Sequence, residues 1–278
     1  MSKIEKALSK AREEQRNLQV VSVSGVAGKP ATSTGLMTDR AAHSETIGRM
    51  ASRDFRLRSA HDLLEHGIIH KSQLEDPAVQ VFRELRTKII QQSKGQNGVI
   101  LVTGMGKEHG SSFVAQNLGA AFAFDAMRTA LVIDCNFRNP SVHRLIANPS
   151  APGLADYLTN PGIDIAEIIY PVGVARLRMI PAGRSPDIQE EHFSSQRMKR
   201  LIDSVRRRHV DRFIVLDGPP MSGIADIRIL SELADCVLVV ARYGRATNTR
   251  IDDCLSAISD GKLLGIVFND EPRIPWIR

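Results

Sequence analysis

The chain has 278 residues, of which 42% are hydrophobic, and a formal net charge of +6 at pH 7. It is long enough for one large domain, or a medium one with an extension, around a sizeable core. Its 37 basic residues are offset by 31 acidic ones, so the balance permits contact with nucleic acid, acidic headgroups or phosphorylated ligands but selects none of them. Cys135, Cys236 and Cys254 lack metal-type spacing, which excludes a zinc scaffold and leaves buried thiols in a reducing compartment. The opening MSKIEKALSKAREEQ has no apolar stretch of signal-peptide length, and no run approaches the roughly 20 apolar residues that span a bilayer. The expected location is the cytoplasm.

Residues 1–18 are expected to form a short amphipathic helix. Ser2 and Glu5 make a capping box, and Ile4, Ala7, Leu8 and Ala11 share one face. A solvated helix and a docking helix for a partner both fit that stripe. Residues 19–75 turn to Val, Ser, Gly, Thr and Ala without a lasting period and are expected to be a flexible linker. His61, His66 and His70 fall within it without acidic or thiolate partners in a rigid frame, and read as solvated rather than metal-ligating.

From residue 76 to 278 the pattern becomes regular. The runs VILVTG, TALVID, LRMIPAG, RFIVLDG, CVLVVARYG and LLGIVFND alternate with helix-like segments, the pattern of βαβ units. The fold class expected is α/β: a doubly wound, mostly parallel sheet of the P-loop NTPase type behind an N-terminal extension. In QRMKRLIDSVRRRH, Met198, Leu201, Ile202 and Val205 form a core-facing stripe, so its basic residues read as a solvated face, and no nucleic-acid partner is expected.

Ligands of such sheets bind beyond the carboxyl ends of the strands. The first run ends in a loop bearing Gly104, Gly106 and Gly110, followed by Ser111 and Ser112 at a helix start whose N–H groups favour an anion. The second ends at Asp134 and the fourth at Asp217. Two carboxylates facing a phosphate loop suit a magnesium–nucleotide site, because Mg²⁺ takes oxygen ligands and bridges phosphates.

From DPAVQVFRELRTKI to LLGIVFND the chain resembles the bacterial tyrosine kinases of capsule and exopolysaccharide biosynthesis, within the P-loop group that includes the Min and Par ATPases. VIDCNFRNPSVHRL is similar to that family's second Walker motif, and FIVLDGPP to its Walker B. The resemblance implies ATP and Mg as cofactors. It also implies Ser112 as the metal-binding hydroxyl, Asp134 and Asp217 as carboxylates supporting metal and hydroxyl activation, and Asn269 near the adenine. A membrane chain-length or export protein is the implied partner, which would place the chain at the inner face of the membrane.

Several positions depart from the family pattern. The Walker A lysine falls on Ser111, which brings no positive charge to a triphosphate. Losing one preorganised charge costs ~3–4 kcal/mol of transition-state stabilisation. Lys107 lies four residues earlier, one residue out of register with a lysine that reaches across a dimer in the Min and Par relatives; it and His109 are the candidate substitutes. Asn136 replaces a second aspartate. In VQVFRELR, which resembles a Glu-x-x-Arg-x-x-Arg self-association motif, Gln80 replaces the glutamate while Arg83 and Arg86 remain, so ring-type homo-oligomers are in question. Tyr157, Tyr170 and Tyr243 lie outside the terminal NDEPRIPWIR, so the family's tail of autophosphorylated tyrosines is not expected. These features together predict a regulatory or scaffolding relative with weak or absent catalysis. The alternatives are an active kinase or ATPase using Lys107 or a partner's cation, and a Par-like positioning ATPase.

Overall fold

The computed structural model describes residues 57–93, 96–184, 190–221, 224–245 and, apart from 253, 255 and 260, 251–270. The helix expected over 1–18 and the linker as far as residue 56 lie outside the described residues. In chain order the principal elements are α1 (Ala60–Glu65), α2 (Pro77–Gln92), β1 (Val99–Gly104), α3 (Ser111–Ala123), β2 (Thr129–Asp134), α4 (Leu154–Thr159), β3 (Tyr170–Pro171), β4 (Leu177–Ile180), α5 (Gln196–Arg207), β5 (Arg212–Asp217), α6 (Ile224–Leu233), β6 (Cys236–Arg242) and β7 (Leu263–Asn269). All six apolar runs are strands. The short β3, which no run announces, adds an antiparallel pair with β4.

The seven strands form one sheet in the order β3-β4-β2-β5-β1-β6-β7, and every pair except β3–β4 is parallel. β1, β2 and β5 are buried along their whole length, as near-continuous Val, Ile and Leu require when helices cover both faces. Alternate residues serve opposite cores: Ile100, Val102, Val132 and Phe213 pack with Phe82, Leu118 and Phe122 of α2 and α3. Leu101, Leu131, Ile214 and Leu216 pack with Leu154, Met198, Leu201 and Ile227 beneath α4, α5 and α6.

On the α3 face Phe122 stacks on Phe213 with ring centroids 4.0 Å apart and planes 7° from parallel. Gly119 brings α3 close to the sheet, since a Cβ there would lie 2.4 Å from Val132 Cγ2. On the opposite face Ser195 caps α5 by accepting from the Met198 N–H, and the stripe Met198, Leu201, Ile202 and Val205 is buried. Lys199, Arg200, Arg206 and Arg207 stay exposed outside it.

The folded region starts before residue 76, which shortens the linker expected to run to 75. Leu63, Ile68 and Ile69 are buried in the core. Asn117 of α3 clamps this segment: its Oδ1 accepts from the Ile69 N–H at 2.8 Å, and its Nδ2 donates to the Gly67 carbonyl at 2.8 Å. The nearby histidines act locally. His61 sits 3.4 Å from Glu65, His66 Nδ1 lies 2.7 Å from the Asp62 carbonyl, and the His70 ring accepts from the Ser72 N–H.

Candidate nucleotide site

The strand order places the carboxyl ends of β2, β5 and β1 side by side. Asp134 and Asp217 end β2 and β5 as direct partners in the parallel register, and both are fully buried. β1 runs into the glycine loop, whose position is fixed from behind. Thr103 Oγ1 donates to the Pro219 carbonyl at 2.6 Å, and the Met221 N–H to the Gly104 carbonyl at 2.8 Å.

Gly110 occupies the N-cap of α3 with φ 85° and makes no side-chain cap. The first N–H groups of the helix therefore keep their donor capacity for an anion, and the helix dipole points the same way. A Cβ at Gly110 would lie 2.1 Å from Asn269 Nδ2, so glycine is needed there both for the left-handed backbone and for the close approach of β7.

One connected polar network joins the two carboxylates to α3. Ser112 Oγ donates to Asp217 Oδ1 at 3.1 Å, and Ser141 Oγ to Asp217 Oδ2 at 3.4 Å. Ser141 Oγ itself accepts from Gln116 Nε2 at 2.6 Å. Asp134 accepts three backbone N–H groups of the following turn, from Asn136 at 3.1 Å, Ser141 at 2.8 Å and Val142 at 3.0 Å. It is thus a turn-forming residue and a site carboxylate at once.

Burial governs the titration of this pair. Desolvation pushes the Asp134 carboxyl up to about 6, against the lowering effect of its three backbone donors and of Arg144. Asp217 is pushed well above the usual carboxylate range, first by burial and then by the charge of Asp134. The two carboxyls therefore titrate as a pair above the usual carboxylate range. A cation between them would reverse both shifts.

The donor set is all oxygen: the carboxylates of Asp134 and Asp217 and the hydroxyl of Ser112. That set fits Mg²⁺, which takes few protein ligands and completes its shell with phosphate and water. Among the described residues no cluster of three or more His, Cys, Asp or Glu forms a metal site.

The remaining expected site residues are placed as follows. Ser111 opens α3 at the Walker A lysine position, half-buried, with its Oγ 3.4 Å from where a Gly104 Cβ would be. Gly106 packs against the His109 ring, and Lys107 is exposed on the loop. His109 is buried; its Nδ1 accepts from the Arg242 N–H at 3.1 Å and its carbonyl from Asn269 Nδ2 at 3.1 Å. His109 therefore ties the loop to β6 and β7, and Asn269 lies against the loop itself. Asn136 is buried, and its Oδ1 accepts from the Asn139 N–H at 3.2 Å.

Gln80 of α2 donates to the Leu74 carbonyl, and Arg83 Nη1 lies 3.4 Å from Gln80 Oε1. Arg86 Nη1 donates to the Ala121 carbonyl of α3 at 3.1 Å. The motif residues thus make contacts within the chain, Arg86 linking the two helices. Ser141 and Gln116 were not singled out from sequence. Ser141 lies in the RNPS stretch of VIDCNFRNPSVHRL, and that stretch was the available signal.

No family model matches the chain. The sequence is homologous to bacterial tyrosine-protein kinases. It is 30% identical over 197 residues to the tyrosine-protein kinase wzc of Salmonella typhimurium, covering 70% of this chain and 27% of that protein. It is 26% identical over 231 residues to the tyrosine-protein kinase ptk of Acinetobacter johnsonii, covering 82% and 31%. The matched region thus spans about a third or less of these relatives. Among solved structures, the chimerical protein CapA2B2 superposes with a TM-score of 0.67 at 22% identity, covering 83% of this chain and 99% of that one. The BceF tyrosine kinase domain gives 0.64 at 24% identity, covering 84% and 98%. These likenesses establish the fold.

Proposed function

We propose that the chain is a degenerate member of the tyrosine-kinase group to which it is homologous, binding Mg–ATP weakly or not at all and acting as a regulatory or scaffolding component of exopolysaccharide or capsule biosynthesis beside a membrane chain-length or export protein. The observation that carries this reading is the contrast within one site. The network joins the half-buried Ser112 and Ser141 to the buried Asp217 and Asp134, while the loop position that should bring a cation to the phosphates holds Ser111.

In this reading Ser112, Asp134 and Asp217 would hold the metal, and the N–H groups opening α3 would meet the phosphates. When bound, Mg²⁺ would neutralise phosphate charge. Asp134, accepting from three N–H groups, stays fixed in orientation. Asp217 receives the Ser112 hydroxyl and would present its free lone pairs to the metal or to a hydroxyl awaiting activation. What this chain does not supply at Ser111 is the charge that grows in value as the γ-phosphoryl leaves, so catalysis suffers more than binding.

The deciding experiment compares ATP hydrolysis and tyrosine phosphorylation by the purified chain, Asp217→Asn and Ser111→Lys. The wild-type rate should match that of Asp217→Asn, and Ser111→Lys should raise it by about 10²-fold or more. Turnover by the wild type well above Asp217→Asn would overturn the reading. Loss of that turnover in Lys107→Ala would then identify the alternative, an enzyme that supplies its cation from Lys107, exposed on the loop.

A further inference from the structure

The nucleotide site occupies the carboxyl ends of the strands, and the amino ends of the same strands carry a different surface. Two turns enter neighbouring strands there. Residues 125–128 lead into β2, closed by the Arg128 N–H on the Asp125 carbonyl, and residues 209–212 lead into β5, closed by the Arg212 N–H on the His209 carbonyl at 3.2 Å. The turns lie side by side, because Thr129 and Arg212 are partners in the parallel register and the Thr129 N–H donates to the Asp211 carbonyl at 3.2 Å. Central turn positions ordinarily take Gly, Pro, Asn, Asp or Ser. Here they hold Met127, 65% exposed, and Val210, 76% exposed, the two most exposed large hydrophobic residues among those described. Side-chain bonds brace both turns: Asp125 Oδ1 accepts from the Met127 N–H at 2.9 Å, and Asn97 Nδ2 donates to the His209 carbonyl at 3.3 Å.

The charges around these tips are mostly positive. Asp125 pairs with Arg128 at 3.4 Å, and Asp235 pairs with Arg206 at 3.1 Å while accepting from the Val99 N–H. Asp203 and Arg207 meet only at 3.8 Å, with both side chains largely exposed, so that pair is weak and Arg207 stays available. Arg208 is exposed and its guanidinium is unpaired among the described residues. Arg176, at the entry to β4 beside β2, keeps a buried Nε with no hydrogen-bond partner. Arg212 lies buried behind Val210 and is held down to about 10, first by burial; Asp211 opposes that lowering and Arg178 adds to it. Positive groups therefore outnumber acids at this end of the sheet.

We propose that the amino end of the sheet rests on an anionic lipid surface, with Met127 and Val210 entering the boundary between headgroups and acyl chains and Arg176, Arg207 and Arg208 meeting lipid phosphates. An apolar insertion together with a basic patch supplies the two signals that surface attachment takes. A protein partner fits less well, because a stable interface buries roughly 800 Å² per side around a packed apolar core, and two isolated tips among arginines offer no such core. A bilayer needs no matching shape. Nucleic acid would use the arginines and leave the tips in water. β1, β2 and β5 are six residues long, so this face lies roughly 20 Å from Asp134 and Asp217, and the nucleotide site would point away from the lipid. The inference goes beyond the proposed function, since it adds direct lipid contact that holds with or without turnover.

The test floats the full chain, without nucleotide or partner, with vesicles of phosphatidylcholine and of an equimolar mixture with phosphatidylglycerol. The mixed vesicles should retain the chain, and retention should fall about tenfold or more on the neutral ones and weaken as salt is raised. The double variant Met127→Ser, Val210→Ser should bind about tenfold more weakly or worse, and Arg208→Glu about fivefold. Val210→Trp should strengthen binding, because the indole favours the interface. Val81→Ser removes an exposed apolar side chain near the start of α2 and should change nothing. All these residues are exposed, so thermal midpoints should stay within a few degrees of wild type. No retention by mixed vesicles, equal retention by neutral ones, or a double serine variant that binds like wild type would each overturn the proposal. Self-association that the double variant abolishes while vesicle binding persists would assign the tips to a second copy, and equal capture by a duplex oligonucleotide would assign the arginines to nucleic acid; either result overturns it. No readout depends on ATP turnover, so this proposal and the catalytic reading fail separately.

Discussion

Replacing Asp217 by asparagine should stabilise the metal-free chain, and increasingly so as pH rises. Asp134 and Asp217 are adjacent, fully buried and raised in pKa, Asp134 from 3.8 to about 6. Between those two values the folded chain keeps a proton that the unfolded chain has released, so this group's contribution to stability falls as pH rises through the window. At about 1.4 kcal/mol per pH unit, Asp134 alone loses about 3 kcal/mol between pH 4 and 6. Asp217, likewise pushed up, adds to the loss as pH rises. Asparagine at 217 keeps one oxygen for the Ser112 hydroxyl, turns an amide N–H toward the Ser141 oxygen in place of the second acceptor, and removes both the desolvation cost and the repulsion of Asp134. Chemical denaturation of both chains at pH 5 and pH 8, with chelator, measures the difference. The advantage of Asp217→Asn should be larger at pH 8 by at least about 1 kcal/mol. Adding millimolar Mg²⁺ with ATP should recover stability in the wild type more than in the variant, to the extent that the site binds. An advantage that is constant with pH, or that shrinks as pH rises, would refute the account of the pair as two buried acids sharing too little compensating charge.

Other parts of the fold give sharper steric and hydrogen-bond tests. Gly119→Ala puts a Cβ 2.4 Å from Val132 Cγ2, and the overpacking should cost about 1–3 kcal/mol in a denaturant melt. Gly110→Ala combines a left-handed backbone with a contact 2.1 Å from Asn269 Nδ2. Asn269→Ser should recover the steric part of the lost stability and leave about 1 kcal/mol of backbone cost. Asn117→Ala removes the acceptor of the buried Ile69 N–H and should cost about 1–3 kcal/mol. Amide exchange at residues 67–69 should speed up more than exchange in β1.

The strands were legible because this sheet is buried on both faces. VILVTG, TALVID and RFIVLDG need no alternation to be read as strands, and their carboxyl ends fixed where Gly104, Asp134 and Asp217 would meet. The stripe of α5 was equally plain, since Met198, Leu201, Ile202 and Val205 repeat at helical spacing over twelve residues. The start of the folded region was not legible. α1 has six residues, too few for a period to show, and what holds Ile68 and Ile69 in place is the side chain of Asn117, about fifty positions away. β3 was hidden for the same reason, as two residues cannot announce a strand. Within the site, residue types at strand ends were readable, whereas the relay Gln116 to Ser141 to Asp217 depends on how the turn after β2 folds back over α3.

The departures at Ser111 and in the carboxylate pair bear on each other. A lysine at the head of the helix brings positive charge to the phosphates, and here that position holds Ser111. The buried acids receive the distant field of Arg144 and hydrogen bonds from Ser112, Ser141 and three N–H groups, yet both remain raised in pKa. Under the proposed function their remaining compensation would come from a cation that arrives with the ligand. Metal and nucleotide would then be taken up together, with the metal cancelling carboxylate repulsion and phosphate charge at once. Under the proposed function such coupling would support binding in the ground state while leaving the added charge of the transition state unmatched.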